Sequence, residues 1–176
     1  MSTYNEKFGN IITMAHEGDF DVIAHGCNCH NAQGSGLAPQ MVEAFKTNTF
    51  KMERPEFKGD INKLGQIDYE LQHFSGWDQK FQTYPDQGDT IEHSLYVVNA
   101  YTQYRYGRNH ADGDIKPVDY EAITLCMRKL NSIFKGSHIG LPLIGCGLAG
   151  GDWDVVKRII QSELKDCDVT VVIYRP

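Results

Sequence analysis

A chain of 176 residues, 41% hydrophobic and 23% charged, is long enough to bury a core without a metal or disulfide staple, and its composition lies far from the disordered and membrane-spanning classes. Seventeen basic residues against 23 acidic ones leave a net charge of −6, which disfavours broad electrostatic capture of nucleic acid, since that requires many phosphates neutralised by lysine and arginine. Five cysteines, an odd number, suit reduced thiols; with no apolar run of membrane length and no signal-peptide core near Met1, the expected compartment is the cytosol.

Residues 21–25, DVIAH, read as the first buried strand, β-branched and apolar with a turn signal on each side. A short helix is expected over 37–45. Residues 72–93 are polar and aromatic without a clear period and read as a surface excursion, as do residues 106–117. Between them, 94–101 forms a second buried strand. Residues 117–134 carry a proline at the start, acids just after it and an apolar face at 123, 126, 127, 130, 133 and 134, which predicts a helix. A strand over 138–144, a helix over 152–165 and a last strand over 169–174 complete the chain. Apolar runs that do not alternate belong to strands covered on both faces. Strands alternating with helices therefore predict one α/β domain spanning 1–176, a three-layer α/β/α sandwich with a mixed, largely parallel central sheet.

Two glycine-bearing stretches sit where a predicted strand gives way to a helix. Gly34-Ser35-Gly36 closes the first; Gly145, Gly147, Gly150 and Gly151 occupy the second, in PLIGCGLAGGDWDVV. Glycine lets the backbone approach a ligand closely, and free N–H groups at a helix start favour an anion, so a phosphate can be held without lysine or arginine. Two such loops suit a diphosphate. Neither matches the dinucleotide fingerprint or the P-loop pattern.

The segment HGCNCH offers a competing metal reading through His25, Cys27, Cys29 and His30. Tetrahedral zinc sites usually draw paired ligands from two separated segments, and no second pair is visible, so packing residues are favoured over metal ligands. A nucleophilic thiol is a further option, at Cys29 beside His30 or at Cys146 in the second loop, because a helix N-terminus lowers a thiol pKa.

VIAHGCNCHNAQGSGLA and LPLIGCGLAGGDWDVV, with YVVNAYTQ between them, resemble the macro domain family of ADP-ribose-binding modules. The similarity is greatest to the branch containing ADP-ribose 1''-phosphate phosphatases and enzymes that remove ADP-ribose from carboxylates. The resemblance implies that Asn28 meets the distal ribose and that Gly34, Ser35, Gly36 and Leu37 pack against ribose and diphosphate. It also implies that Gly145, Cys146, Gly147, Leu148 and Ala149 hold the diphosphate through backbone N–H groups. Asn10 and Ile11 stand where relatives hold adenine with an acidic side chain; the Asn10 carbonyl oxygen would accept from the exocyclic amine, more weakly than a carboxylate. Tyr174 would flank the base, with a core tyrosine as the alternative.

His25 and Asn28 are the candidate catalytic residues, His25 as the group that orients a water or protonates the departing sugar oxygen near neutral pH. Relatives that work through a lysine adduct carry a lysine and an acid where this chain has Gln103 and Ala149, which argues against a covalent lysine route. Asp152 reads as a helix cap, whereas Arg105, Arg108, Asp112 and Asp114 form a charged loop that could overhang the site. The implied ligands are ADP-ribose or ADP-ribose 1''-phosphate, and ADP-ribosylated macromolecules, with no cofactor or metal. The implied activity is hydrolysis of ADP-ribose 1''-phosphate to ADP-ribose and phosphate. The alternatives are removal of ADP-ribose from protein or nucleic-acid targets, and non-catalytic reading of ADP-ribose.

Overall fold

The computed structural model describes residues 2–50, 58–75, 92–106 and 116–175. Its strands are β1 (Tyr4–Gly9), β2 (Val22–Asn28), β3 (Ile67–Ser75), β4 (Glu92–Gln103), β5 (His138–Leu141) and β6 (Asp168–Tyr174). Its helices are α1 (Ile11–His16), α2 (Ala38–Phe45), α3 (Tyr120–Ile133) and α4 (Trp153–Glu163). One sheet has the order β1-β6-β5-β2-β4-β3, parallel at every pair except β3 with β4.

The central strands are covered on both faces, which is why their sequences do not alternate. In β2, Val22 and Ala24 pack with Val98, Ile123, Leu130, Val156 and Ile160 beneath α3 and α4. Ile23, of opposite parity, packs with Val97, Met41 and Phe45 beneath α1 and α2. The result is the expected α/β/α sandwich with a mixed, largely parallel sheet.

Several boundaries differ from the sequence reading. β5 stops at Leu141 rather than 144, because Pro142 has no N–H to offer a ladder. Pro117 lies outside α3, which starts at Tyr120 with Asp119 as its N-cap, the carboxylate accepting from Ala122 N at 3.0 Å. Val118 is instead tied back to the second glycine loop, its N–H donating to Ala149 O at 3.2 Å. The stretch 72–93 is not all loop: residues 72–75 continue β3 and residues 92–93 begin β4, paired antiparallel, while 76–91 lie outside the described residues. The strand β1 and the six-residue helix α1 were not anticipated. No helix among the described residues is long and apolar enough to cross a membrane.

Candidate functional site

β2 and β5 are parallel neighbours, but the chain leaves β2 for α2 on one face and leaves β5 for α4 on the other. Their two loops therefore part at the carboxyl edge of the sheet and open a crevice, the place where open α/β sheets bind ligands. Two cavities lined by described residues lie in it. One, of about 210 Å³, is lined by His25, Asn28, Gln33, Gln103, Tyr106, Gly145 and Ala149 among others. The second, of about 420 Å³, lies over the ends of β1 and β6 and is lined by Asn10, Ile11, Gln40, Cys146, Val172 and Tyr174 among others. Gly36, Leu37, Pro142, Leu143 and Gly147 line both, so the two form one groove.

The junction is rich in unused donors. The N–H groups of Gly36 and Leu37, and those of Gly147, Leu148 and Ala149, have no acceptor among the described residues. α2 also begins without a side-chain cap. Backbone dipoles of this kind hold an anion without a cationic side chain. Glycine is required here for steric reasons: Gly145 has φ +74°, and a Cβ on Gly151 would lie 2.4 Å from the Gly145 carbonyl oxygen. That carbonyl accepts from Gly151 N at 2.8 Å, closing the loop on itself.

His25 sits on β2 directly opposite Asn99 of β4 and is only 2% exposed. Asn99 donates through Nδ2 to the Thr47 carbonyl at 2.9 Å, which fixes its amide so that Oδ1 accepts. His25 Nε2 therefore carries the proton and donates to Asn99 Oδ1 at 2.6 Å. Thr47 Oγ1 in turn donates to Gln33 Oε1 at 2.7 Å, so a buried polar chain connects the β2 imidazole to the wall of the smaller cavity. Burial pushes the His25 pKa down to about 4, partly opposed by the bond to Asn99. The imidazole is neutral at neutral pH, and its Nε2 proton is engaged by Asn99.

The two asparagines both line the groove, and both amides are held by backbone groups. Asn28 lines the smaller cavity, but its Oδ1 accepts from His30 N and Ala32 N, both at 3.1 Å, and its Nδ2 donates to Ala32 O at 2.8 Å. The amide thus shapes its own loop. Asn10 is the N-cap of α1, its Oδ1 accepting from Ile12 N and Thr13 N at 3.0 and 3.2 Å, so the acceptor expected for a base amine is already engaged.

The remaining candidates separate clearly. Ile11, Ser35, Gly36, Leu37, Gly145, Cys146, Gly147, Leu148, Ala149 and Tyr174 line one cavity or both, whereas Gly34 lines neither. Asp152 caps α4, accepting from Asp154 N at 2.9 Å. Arg105 lies with Lys116 in a separate surface cleft; Arg108, Asp112 and Asp114 lie outside the described residues. Gln33, Gln40, Tyr106, Pro142 and Leu143 were missed as lining residues, and Gln103, singled out only for standing in place of a lysine, lines the smaller cavity. Pro142 alone carried a signal, as a proline at the end of a strand.

Burial raises the thiols rather than lowering them: Cys29 and Cys146 are pushed up to about 11, the latter also by Asp152, and Cys27 goes well above the ordinary value. They are protonated at neutral pH and poorly suited to nucleophilic attack. Cys27 Sγ lies 3.5 Å from His25 Nε2, but His30 turns to Tyr104 and Tyr106, at 5.1 and 5.8 Å between ring centroids. Among the described residues no group of three or more His, Cys, Asp or Glu side chains is placed to hold a metal ion.

No protein-family model matches the chain. It is 30% identical over 172 residues to an uncharacterized 17.5 kDa protein of the tk-vs intergenic region of Enterobacteria phage T4, covering 96% of this chain and 94% of that protein. The chain belongs to the family of that phage protein. Among solved structures, the macrodomain of Mycobacterium tuberculosis DarG matches with TM-score 0.60 and 18% identity, over 100% of this chain and 99% of that one. Thermosipho africanus DarTG in complex with ADP-ribose matches with TM-score 0.62 and 16% identity, over 100% of this chain and 42% of that one. The fold of this phage-protein family member is thus the macrodomain fold.

Proposed function

We propose that the groove binds ADP-ribose and that, within it, the protein hydrolyses ADP-ribose 1''-phosphate to ADP-ribose and phosphate. Residues 1–176 act as one module in a cytosolic setting, without cofactor or metal. The observation that carries this reading is the pair of unlike cavities joined at a stretch of unused backbone donors. The larger, walled by Ile11, Leu37 and Val172, suits a purine. The junction, with the N–H groups of Gly36, Leu37 and Gly147 and, just beside it, those of Leu148 and Ala149, none with an acceptor among the described residues, suits a diphosphate. The smaller, with Asn28, Gln33 and Gln103, suits a ribose. The solved DarTG complex with ADP-ribose supports the choice of ligand through the shared fold.

In the hydrolysis, water attacks phosphorus, the bond from phosphorus to the C1'' oxygen breaks, and ADP-ribose leaves with that oxygen. Phosphoryl transfer of this kind depends mainly on positioning and on dipoles aimed at the developing charge. With Nε2–H bonded to Asn99, His25 contributes as a neutral acceptor through Nδ1, orienting a water or a ribose hydroxyl. Asn28 holds the loop against which the ribose packs.

The neutral His25 and protonated thiols favour a second reading, in which the same groove reads ADP-ribose without turnover. Removal of ADP-ribose from a macromolecule would use the same pocket. Calorimetry with ADP-ribose tests what all three share, and no detectable binding would sink them together. Phosphate release from ADP-ribose 1''-phosphate identifies the phosphatase; release of ADP-ribose from a modified protein or nucleic acid instead identifies the hydrolase. Binding with neither release leaves the reader.

A further inference from the structure

Adenine and a 6-oxopurine such as hypoxanthine differ along one edge. Adenine shows a 6-amino donor beside the N1 acceptor; hypoxanthine shows a 6-oxo acceptor beside an N1–H donor. A cavity that insists on adenine must fix an acceptor against the 6-amino group, and a carboxylate does this best because it accepts and cannot donate.

Among the described side chains that line the larger cavity there is no such group. None of the described residues that line it is a carboxylate, and its polar side chains are Asn10, Gln40, Tyr174 and the Cys146 thiol. Asn10 is the one held in place. Both of its Oδ1 bonds run to α1, at 3.0 Å to Ile12 N and 3.2 Å to Thr13 N, and these use the two lone pairs of an amide oxygen. What Asn10 keeps for a ligand is Nδ2, which has no acceptor among the described residues. Gln40 is an exposed side chain whose terminal amide can present either end, and a tyrosine hydroxyl can donate or accept. The fixed group donates, and the adaptable ones suit either edge.

We propose that the base cavity accepts 6-oxopurines on a par with adenine, because Asn10, which lines it, has its acceptor engaged by α1 and only its amide donor left for a base. The Nδ2 donor can bond N1 of adenine, and after a small in-plane shift of the base it can bond O6 of hypoxanthine instead. This rests on the ADP-ribose reading and names the ligand class that follows from it, purine diphosphate riboses in general. Asn10 thereby sets specificity through a capping bond that appears purely structural.

The test is calorimetry with ADP-ribose and inosine diphosphate ribose, on the wild-type chain and on Asn10→Asp. Aspartate caps helices as well as asparagine does, so the variant keeps α1. Its second oxygen then accepts from a 6-amino group and repels a 6-oxo group. The wild type should bind the two ligands within about threefold of one another, and Asn10→Asp should shift the ratio about tenfold toward ADP-ribose, equivalent to about 1.4 kcal/mol. A wild-type preference for ADP-ribose beyond about tenfold, or a ratio that Asn10→Asp leaves unchanged, overturns the inference while leaving the ADP-ribose reading intact. Binding of neither ligand overturns both.

Discussion

Acid should destabilise this fold through His25. The imidazole is 2% exposed, and its pKa falls from an ordinary 6.5 to about 4 because burial penalises the charged form. Between those two values the unfolded chain binds more protons than the folded one, so stability rises with pH in that window. The contribution is fully present above pH 6.5 and is lost as pH falls, at up to about 1.4 kcal/mol per unit, reaching about 3 kcal/mol near pH 4. At pH 5 the loss is about 2 kcal/mol. His16 is also lowered by burial and titrates in the same direction, so the comparison must be internal. Urea denaturation of the wild type and of His25→Asn at pH 7, 6 and 5 supplies it. The wild-type advantage should shrink by about 2 kcal/mol between pH 7 and 5. Parallel stability curves, or a His25 resonance titrating near its ordinary value, would refute the account of a neutral, desolvated imidazole.

Asn99→Ala removes the acceptor of the His25 Nε2–H and the shorter of the two bonds to the Thr47 carbonyl, leaving only the 3.4 Å bond from Phe50 N and the 3.5 Å contact of Nε2 with Cys27 Sγ, at a site that is fully buried. A loss of about 2–4 kcal/mol is expected, and an unchanged Tm would count against the relay. Gly151→Ala places a methyl 2.4 Å from the Gly145 carbonyl oxygen, forcing the second loop open. ADP-ribose affinity should fall at least about tenfold while circular dichroism reports an intact fold; wild-type affinity would show that the loop does not hold the ligand. Cys146→Ala should retain both binding and turnover, since the thiol is held protonated. Loss of turnover with binding preserved would reinstate a nucleophilic cysteine.

The middle of the sheet was legible because β2, β4, β5 and β6 are buried on both faces and their composition says so. The edge was not. β1 reads YNEKFG, with its four central residues exposed, and such a strand looks like a polar turn until its partner is known. α1 is too short to display a helical period, and its start is marked only by a capping asparagine. Both glycine loops line the crevice, and each was recognisable because it follows a recognisable strand. The chemistry of the individual side chains was less accessible. His25 looked like an acid because a histidine near neutrality is one by default; its partner, Asn99, lies 74 residues away, and only the pairing of β2 with β4 brings them together. Asn10 and Asn28 were recognisable by position, but the backbone groups that occupy their amides are set by local geometry that residue type does not reveal.

The five residues at which the two cavities meet, Gly36, Leu37, Pro142, Leu143 and Gly147, make the groove behave as a gauge of length. A ligand reaching across that junction loses its translational and rotational freedom once for two sets of contacts, whereas either half alone loses nearly as much for one set. Severing the ligand at its middle should weaken it by more than the missing contacts suggest. The groove would thus ignore the abundant fragments that resemble each end and respond to the molecule that joins them.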